Sequence, residues 1–159
     1  MARIKDSIIL YTRPDKVWPF IKSKKMMQWR TDISVFELLD EGDADIGQRF
    51  FVDKNFRGKT QRFNCVVTDW QENRKISFEG HQDGRMTWKT SFEIVPEAYG
   101  CKFIITEKLD DKKVLVFKSF FDRIIIQPAL ERSIRSSLIR LRDLVLGTYS
   151  GGHAFSQNH

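Results

Sequence analysis

The sequence has 159 residues and a mass of 18.8 kDa, the size of a single domain that buries about 70% of its unfolded surface. Its 41% apolar and 30% charged residues are ordinary for a globular protein and argue against a largely disordered chain. The net charge of +6 is spread along the chain without a dense basic run, so we expect no nucleic-acid partner. No window approaches 18 consecutive apolar residues, which excludes a transmembrane helix.

The cysteines and the first residues bear on the cellular compartment. Cys65 and Cys101 have the spacing of neither a disulfide framework nor a metal knuckle. The N-terminus lacks the apolar segment of a secretory signal, so we expect a cytoplasmic protein. The sequence also lacks a phosphate loop, a dinucleotide fingerprint, a nucleophile elbow and a zinc pattern. We therefore expect no cofactor and no metal site.

The first thirty residues predict one strand followed by two short helices. The β-branched run at 8–11 predicts a strand at about 4–12. Pro14 then suits the first position of a helix, and an acidic residue follows it. Pro19 removes a backbone donor inside this helix, which should be short or kinked. A second short helical segment is predicted over 24–30.

From about 33 to 111 the pattern predicts an antiparallel meander of strands. Short turns separate the strands, and Asp83-Gly84 is a strong hairpin signal. Apolar and polar residues alternate cleanly, as expected of a sheet with one covered face and one wet face. The six predicted strands cover 33–39, 48–56, 60–70, 75–81, 86–95 and 101–109.

The last segment has helical spacing and is predicted to cover the sheet. We expect a long helix that begins near 118 and is kinked at Pro128. Gly147 is a natural stop, and the tail at 148–159 is expected to be flexible. The folded domain is therefore placed at 1–147. The apolar stripe of the helix consists of Leu130, Ile134, Leu138, Leu141 and Val145.

Three local stretches resemble a known superfamily. The stretch from Arg13 to Ile21 (Arg-Pro-Asp-Lys-Val-Trp-Pro-Phe-Ile) is similar to a helix that begins with proline and carries a Val-Trp pair. Trp29 follows the second helix, and the stretch at 92–105 resembles a strand, a proline, a glycine turn and an alternating strand. In this order, over 3–147, they resemble the START-like (SRPBCC) superfamily of polyketide cyclases/dehydrases and lipid-transport proteins.

This resemblance implies an α+β helix-grip fold. Such a fold has a seven-stranded curved antiparallel sheet wrapped around a long C-terminal helix, with two short helices after the first strand. It also implies an apolar cavity between the sheet and the helix, and it places Trp29 at the cavity mouth. Alternation and resemblance together predict the ligand-binding residues Trp29, Met86, Trp88, Thr90, Phe92, Phe103, Ile105, Glu107, Phe121 and Ile125. A filled aromatic core is the alternative for the same residues.

Glu107 is the residue of greatest chemical interest, because alternation places it on the covered face beside Phe103 and Ile105. A buried carboxylate without a partner is costly. Glu107 therefore either reaches solvent, pairs with an arginine, or anchors a polar group of a ligand. His81 ends a strand and is expected on the surface, without a neighbouring carboxylate; a general base at the cavity mouth is its alternative role.

Three functions are compatible with these features. The favoured one is binding or carrying a small hydrophobic, aromatic or lipid-like ligand in the apolar cavity. The second is a cofactor-free cyclase or dehydratase, for which Glu107 and His81 are the catalytic candidates. The third is an adaptor for a protein partner. The helix arginines are most simply a solvated face, with a weak contact to an anionic surface as the alternative, through Arg132, Arg135 and Arg142.

Overall fold

The computed structural model describes residues 2–22, 24–42, 45–56, 58–111 and 127–147. It contains one antiparallel sheet, two short helices after the first strand and a longer C-terminal helix. This confirms the predicted helix-grip fold. In chain order the elements are β1 (Ala2–Leu10), α1 (Pro14–Ile21), α2 (Met26–Trp29), β2 (Ile33–Leu38), β3 (Arg49–Phe56), β4 (Lys59–Gln71), β5 (Lys75–Gln82), β6 (Met86–Glu97), β7 (Gly100–Asp111) and α3 (Gln127–Val145).

The strand order is β1-β7-β6-β5-β4-β3-β2, so the strands from β2 to β7 form a meander and β1 closes it beside β7. The first strand thus pairs with the last, with Leu10 opposite Cys101 and Ile4 opposite Glu107. Gly100 permits this closure. A Cβ atom there would lie 2.2 Å from the carbonyl oxygen of Leu10.

One face of the sheet forms the core together with α3. The predicted alternation is confirmed in β6 and β7, where every second residue from Met86 to Ile94 and from Cys101 to Leu109 is buried. The helix α3 packs on β1, α1 and α2. Its predicted stripe is buried except for Val145, which is half-buried and packs against the core. The buried members of the stripe are Leu130, Ile134, Leu138 and Leu141.

Most element boundaries agree with the predictions to within two residues. The helix α1 begins at Pro14 and has only eight residues, with Pro19 inside it. At the other end of the chain, Gly147 adopts a φ of 71° and donates its N–H to the carbonyl of Leu144, which terminates α3. The predicted helical part at 118–126 and the predicted flexible tail lie outside the described residues. No described helix is long and apolar enough to cross a bilayer.

Candidate functional site

An aromatic core occupies the middle of the inward sheet face. The ring of Trp29 lies 5.3 Å from Phe92 and 5.7 Å from Phe103, centre to centre, in edge-to-face contacts. The indole Nε1 of Trp29 donates a hydrogen bond of 2.8 Å to the carbonyl of Phe20. Trp29 is completely buried, so no part of its side chain faces solvent. The helix α2 is only one turn long, and its apolar side packs against the inward face of the sheet.

Four charged side chains meet beside this aromatic core: Arg30, Asp32, Lys54 and Glu107. We refer to them as the buried charge cluster, since each is at most 6% exposed. They form a closed ring in which each cation contacts both carboxylates. Two positive and two negative charges give the ring a net charge of zero.

The contacts of the cluster are hydrogen bonds as well as ion pairs. Arg30 donates to both carboxylate oxygens of Asp32, at 2.9 and 2.8 Å, and to Glu107 Oε2 at 3.0 Å. Lys54 Nζ donates to Glu107 Oε1 at 2.9 Å and also to Asp32. Such charge-assisted, forked contacts are the strong class of protein hydrogen bonds.

The fold brings these four residues together from three separate segments. Arg30 caps the C-terminal end of α2, and Asp32 follows it in the turn before β2. Lys54 lies on the inward side of β3, where it continues the buried series begun by Phe50 and Val52. Glu107 lies on the inward side of β7, as alternation predicts, and it pairs with an arginine, one of the readings that the sequence leaves open.

Neighbouring charges hold two members of the cluster, Asp32 and Arg30, in their ionised forms. Burial alone would raise the pKa of Asp32, but the positive charges and hydrogen bonds of Arg30 and Lys54 outweigh it and hold that pKa well below its usual range. Burial alone would lower the pKa of Arg30, whereas Asp32 and Glu107 raise it above its ordinary value. Proton exchange with these two groups is therefore disfavoured near neutral pH.

Trp88 forms one wall of the cluster. Its ring centre lies 4.7 Å from Lys54 Nζ and 5.8 Å from the guanidinium carbon of Arg30, within cation–π range. Trp88 lies opposite Gly80 in the sheet. A Cβ atom on Gly80 would lie 2.9 Å from Cys65 Sγ and 3.4 Å from the Trp88 ring, so glycine makes room for both side chains. Burial raises the pKa of Cys65 to about 12, against an opposing effect of the Lys54 charge.

Several buried polar atoms near the cluster have no hydrogen-bond partner among the described residues. Two are nitrogen donors, Arg30 Nη1 and Trp88 Nε1, and a third is the Thr90 hydroxyl. Thr90 lies directly opposite Glu107 in the sheet. The side-chain oxygens of Gln61 and Gln82 are also without partners, and Gln61 lies opposite Lys54. One end of the inward face is thus polar, and it carries donors and acceptors that bond to no other residue in the described part of the chain.

The structure separates the two catalytic candidates that the sequence suggests. His81 lies on the outward face of β5 with 54% of its side chain exposed, whereas Glu107 lies on the inward face. The surface position is as predicted. The expected absence of a carboxylate beside His81 is wrong, since its Nε2 lies 2.9 Å from Glu79 Oε1. Residues two apart on one strand share a face, so Glu79 provided a signal for this pair.

The remaining predicted ligand-binding residues fall into two groups. Met86 and Ile105 are buried on the inward face. Phe121 and Ile125 lie outside the described residues. A pocket of about 20 Å³, room for roughly one water, lies between the first two helices and strands β2 to β5. Its apolar lining includes Met26, Phe50 and Phe78, which shows close packing on that side of the core.

The arginines of α3 are partly engaged within the protein. Arg135 Nε donates to Asp6 at 3.1 Å, and its Nη2 donates to the carbonyl of Ser7 at 3.0 Å. Arg142 lies 3.5 Å from Asp143, while Arg132 is exposed. Within the described parts of the chain, no three His, Cys, Asp or Glu side chains group together as a set of metal ligands.

The family model described as "Polyketide cyclase / dehydrase and lipid transport" matches residues 1–145 of the chain. The chain belongs to this family. The match covers all seven strands and both short helices, and it ends at the last residue of α3. No curated protein sequence matches the chain significantly.

Solved structures of other proteins share the fold of this chain. A START superfamily protein from Mycobacterium smegmatis has a TM-score of 0.73 at 12% identity, covering 92% of this chain and 99% of its own. The Zhui aromatase/cyclase from a Streptomyces species has a TM-score of 0.74 at 11% identity, with 94% and 96% covered. The protein TTHA0849 from Thermus thermophilus has a TM-score of 0.72 at 16% identity, with 94% and 99% covered. At these identities the likeness shows the fold alone.

Proposed function

We propose that the protein binds a small, largely apolar molecule on the inward face of the sheet, beside the buried charge cluster, and that it carries or senses this molecule in the cytoplasm. Its family and the START superfamily neighbour support a ligand-binding role. The apolar body of the ligand would lie against Trp88 and Met86. The ligand would approach from the end of the sheet where β7 finishes at Asp111.

The observation that carries this proposal is the buried charge cluster with its unpartnered neighbours. A buried ion-pair network is expensive to desolvate, and apolar side chains of similar volume commonly give equal or greater stability. Stability alone therefore gives little reason to keep four charges in a core. Polar atoms next to them that bond to no other described residue, such as Trp88 Nε1 and Thr90 Oγ1, give the site capacity to orient a guest.

Catalysis as a cyclase or dehydratase receives less support from the same geometry. It needs a group that takes up and releases a proton near neutral pH. The candidate Glu107 is ion-paired with both Arg30 and Lys54. The other candidate, His81, lies on the opposite face of the sheet. The aromatase/cyclase among the structural neighbours shares the fold, and the fold hosts both binding and catalysis.

Native mass spectrometry of freshly purified protein provides the first test. We expect a reproducible extra mass that dissociates on denaturation, and the identity of that guest would name the ligand class. A bare mass at all preparation conditions, together with no saturable binding of an uncharged fluorescent probe such as N-phenyl-1-naphthylamine, contradicts the proposal.

A variant pair locates the binding site. Trp88→Ala should weaken probe binding by about 10-fold or more, because it removes a large apolar contact surface. Trp70→Ala is the matched control, since Trp70 packs on Trp18 at 5.2 Å, away from the cluster. Should Trp88→Ala fail to fold, Met86→Ala makes a smaller change at the same end of the sheet. Equal loss in the site variant and in the control argues against this location.

A further inference from the structure

We propose that the ligand carries a neutral carbonyl group, of the ketone, ester or amide type, and that its oxygen accepts hydrogen bonds from Trp88 Nε1 and the Thr90 hydroxyl, beside Arg30 Nη1. This inference rests on the proposed function and specifies the chemistry of the guest. It predicts that the site discriminates against two otherwise similar molecules, the hydrocarbon without the oxygen and the free carboxylate.

The unpartnered atoms favour an acceptor on the ligand. A guanidinium nitrogen and an indole nitrogen can only donate, and a threonine hydroxyl can donate as well. A carbonyl oxygen has two lone pairs and accepts hydrogen bonds from two such donors. A hydrocarbon would bury these donors without partners, which is unfavourable. The amides of Gln61 and Gln82 offer both donors and acceptors, so they do not discriminate.

The donors lie in one neighbourhood of the inward face. Trp88 and Thr90 are two residues apart on β6, so their side chains project to the same side about 7 Å apart along the strand. Thr90 lies opposite Glu107, which accepts a hydrogen bond from Arg30. The Arg30 guanidinium lies against the Trp88 ring at 5.8 Å. The indole is flanked by Phe63 and Phe78, which provide apolar contact surface beside the donors.

The charge balance of the cluster argues for a neutral acceptor over a carboxylate. Arg30 and Lys54 are each already paired with both Asp32 and Glu107. A guest carboxylate would therefore add an uncompensated negative charge to a site whose side chains are at most 6% exposed. Burial of such a charge is disfavoured more strongly than burial of a neutral carbonyl.

Three matched probes test the inference: 2-ethylnaphthalene, 2-acetylnaphthalene and 2-naphthoate. They share one ring system and differ only in the substituent. Titrations of the full chain at pH 7.5, followed by ¹⁵N-resolved NMR of the indole N–H signals, give both the affinity and the contact. We expect the ketone to bind about 10-fold more tightly than the hydrocarbon, as two neutral hydrogen bonds allow. The carboxylate should bind more weakly than the ketone by a similar factor.

The indole signals and two variants assign the contact. The Trp88 N–H signal should shift with the ketone and not with the hydrocarbon. The Trp29 N–H should stay in place, because it donates to the carbonyl of Phe20. Thr90→Val and Trp88→Phe keep most of the shape and remove a donor each. In both variants the ratio of the affinity for the ketone to the affinity for 2-ethylnaphthalene should fall, because the hydrocarbon makes no use of the lost donor.

The possible outcomes separate this inference from the proposed function. Equal affinities for ketone and hydrocarbon would overturn the carbonyl contact and leave ligand binding in place. Tightest binding by 2-naphthoate would overturn the choice of a neutral group and show an anion site instead. Absence of saturable binding by all three probes would overturn both proposals.

Discussion

Two neighbouring residues of one strand, Asp53 and Lys54, make ion pairs of similar length in opposite environments. Asp53 points to the outward face, where its carboxylate lies 2.8 Å from Arg62, whose side chain is 57% exposed. Lys54 points inward, where its ammonium lies 2.9 Å from Glu107 in the buried charge cluster. The distances are alike, so the two pairs differ in burial and in the number of partners and not in length.

The comparison shows that ion-pair geometry is a poor guide to energy without the surroundings. In an exposed pair, each charge exchanges its contacts with water for a contact of similar strength with its partner. The pair therefore contributes between zero and about 1 kcal/mol to the free energy of unfolding. In a buried cluster, each charge depends on the others, because water cannot replace a missing partner. Removing the outward pair should therefore cost little stability. Removing a single member of the inward cluster should cost much more, because its partners stay buried and charged.

The largest effect is expected from removing one charge of the cluster. Lys54→Met keeps the length of the side chain but leaves two buried carboxylates with a single cation. We expect a loss of about 3–5 kcal/mol in the free energy of unfolding, measured by urea denaturation at pH 7. The matched control is Lys89→Met on an exposed position of β6, which should change stability by less than about 0.5 kcal/mol. A loss of less than 1 kcal/mol in Lys54→Met would show that the cluster is not interdependent.

A double-mutant cycle sharpens the same point. Combining Lys54→Met with Glu107→Leu removes one charge of each sign and leaves Arg30 paired with Asp32 at 2.8 Å. The double variant should be more stable than the sum of the single losses predicts, with a coupling of about 1–3 kcal/mol. Additive losses would mean that the two residues act independently, contrary to their contact at 2.9 Å.

The third prediction concerns the stability of the protein at acidic pH. The pKa of Asp32 is lowered in the folded protein, so the unfolded chain binds its proton more readily. The stabilisation is therefore fully present above the unfolded value of about 3.9 and is lost as the pH falls below it. The free energy of unfolding should decline steadily from pH 5 downwards. The carboxyl carbon of Asp32 should show an ionised group by ¹³C NMR for as long as the protein stays folded, and protonation of Asp32 between pH 3 and 5 in the folded state would contradict this.

Much of the fold could be predicted from local signals. Strict alternation in β6 and β7 identified the inward face of the sheet, and the apolar stripe of α3 identified the helix that covers this face. Hairpin chemistry at Asp83-Gly84 fixed one turn, where both residues have positive φ. These signals act over a few residues, so a single sequence displays them. The closure of β1 onto β7 depends on a contact about 100 residues apart, and only the resemblance to a known fold implied it.

The candidate site was harder to predict, because its residues come from distant segments. Alternation placed Glu107 inside, yet its partners Arg30 and Lys54 lie 77 and 53 residues away. Charged residues are usually exposed, so a sequence alone gives no reason to bury Arg30 and Asp32 after a short helix. Lys54 offered a weak signal, because strand alternation places its side chain on the same face as those of Phe50 and Val52. Only the assembled sheet shows that these charges balance one another.

The smallest effect is expected on the outward face, and it completes the comparison. Arg62→Gln removes the pair with Asp53 and the contact of the guanidinium with the Phe51 ring, at 4.1 Å. Both interactions are solvent-exposed, so the loss should stay below about 1 kcal/mol. It should shrink further in 1 M NaCl, where the screening length is about 3 Å, whereas the loss in Lys54→Met should persist because water and ions do not reach the cluster. If Arg62→Gln destabilised the protein as much as Lys54→Met, burial would not be the property that separates the two ion pairs, and the case for a specialised interior cluster would fail with it.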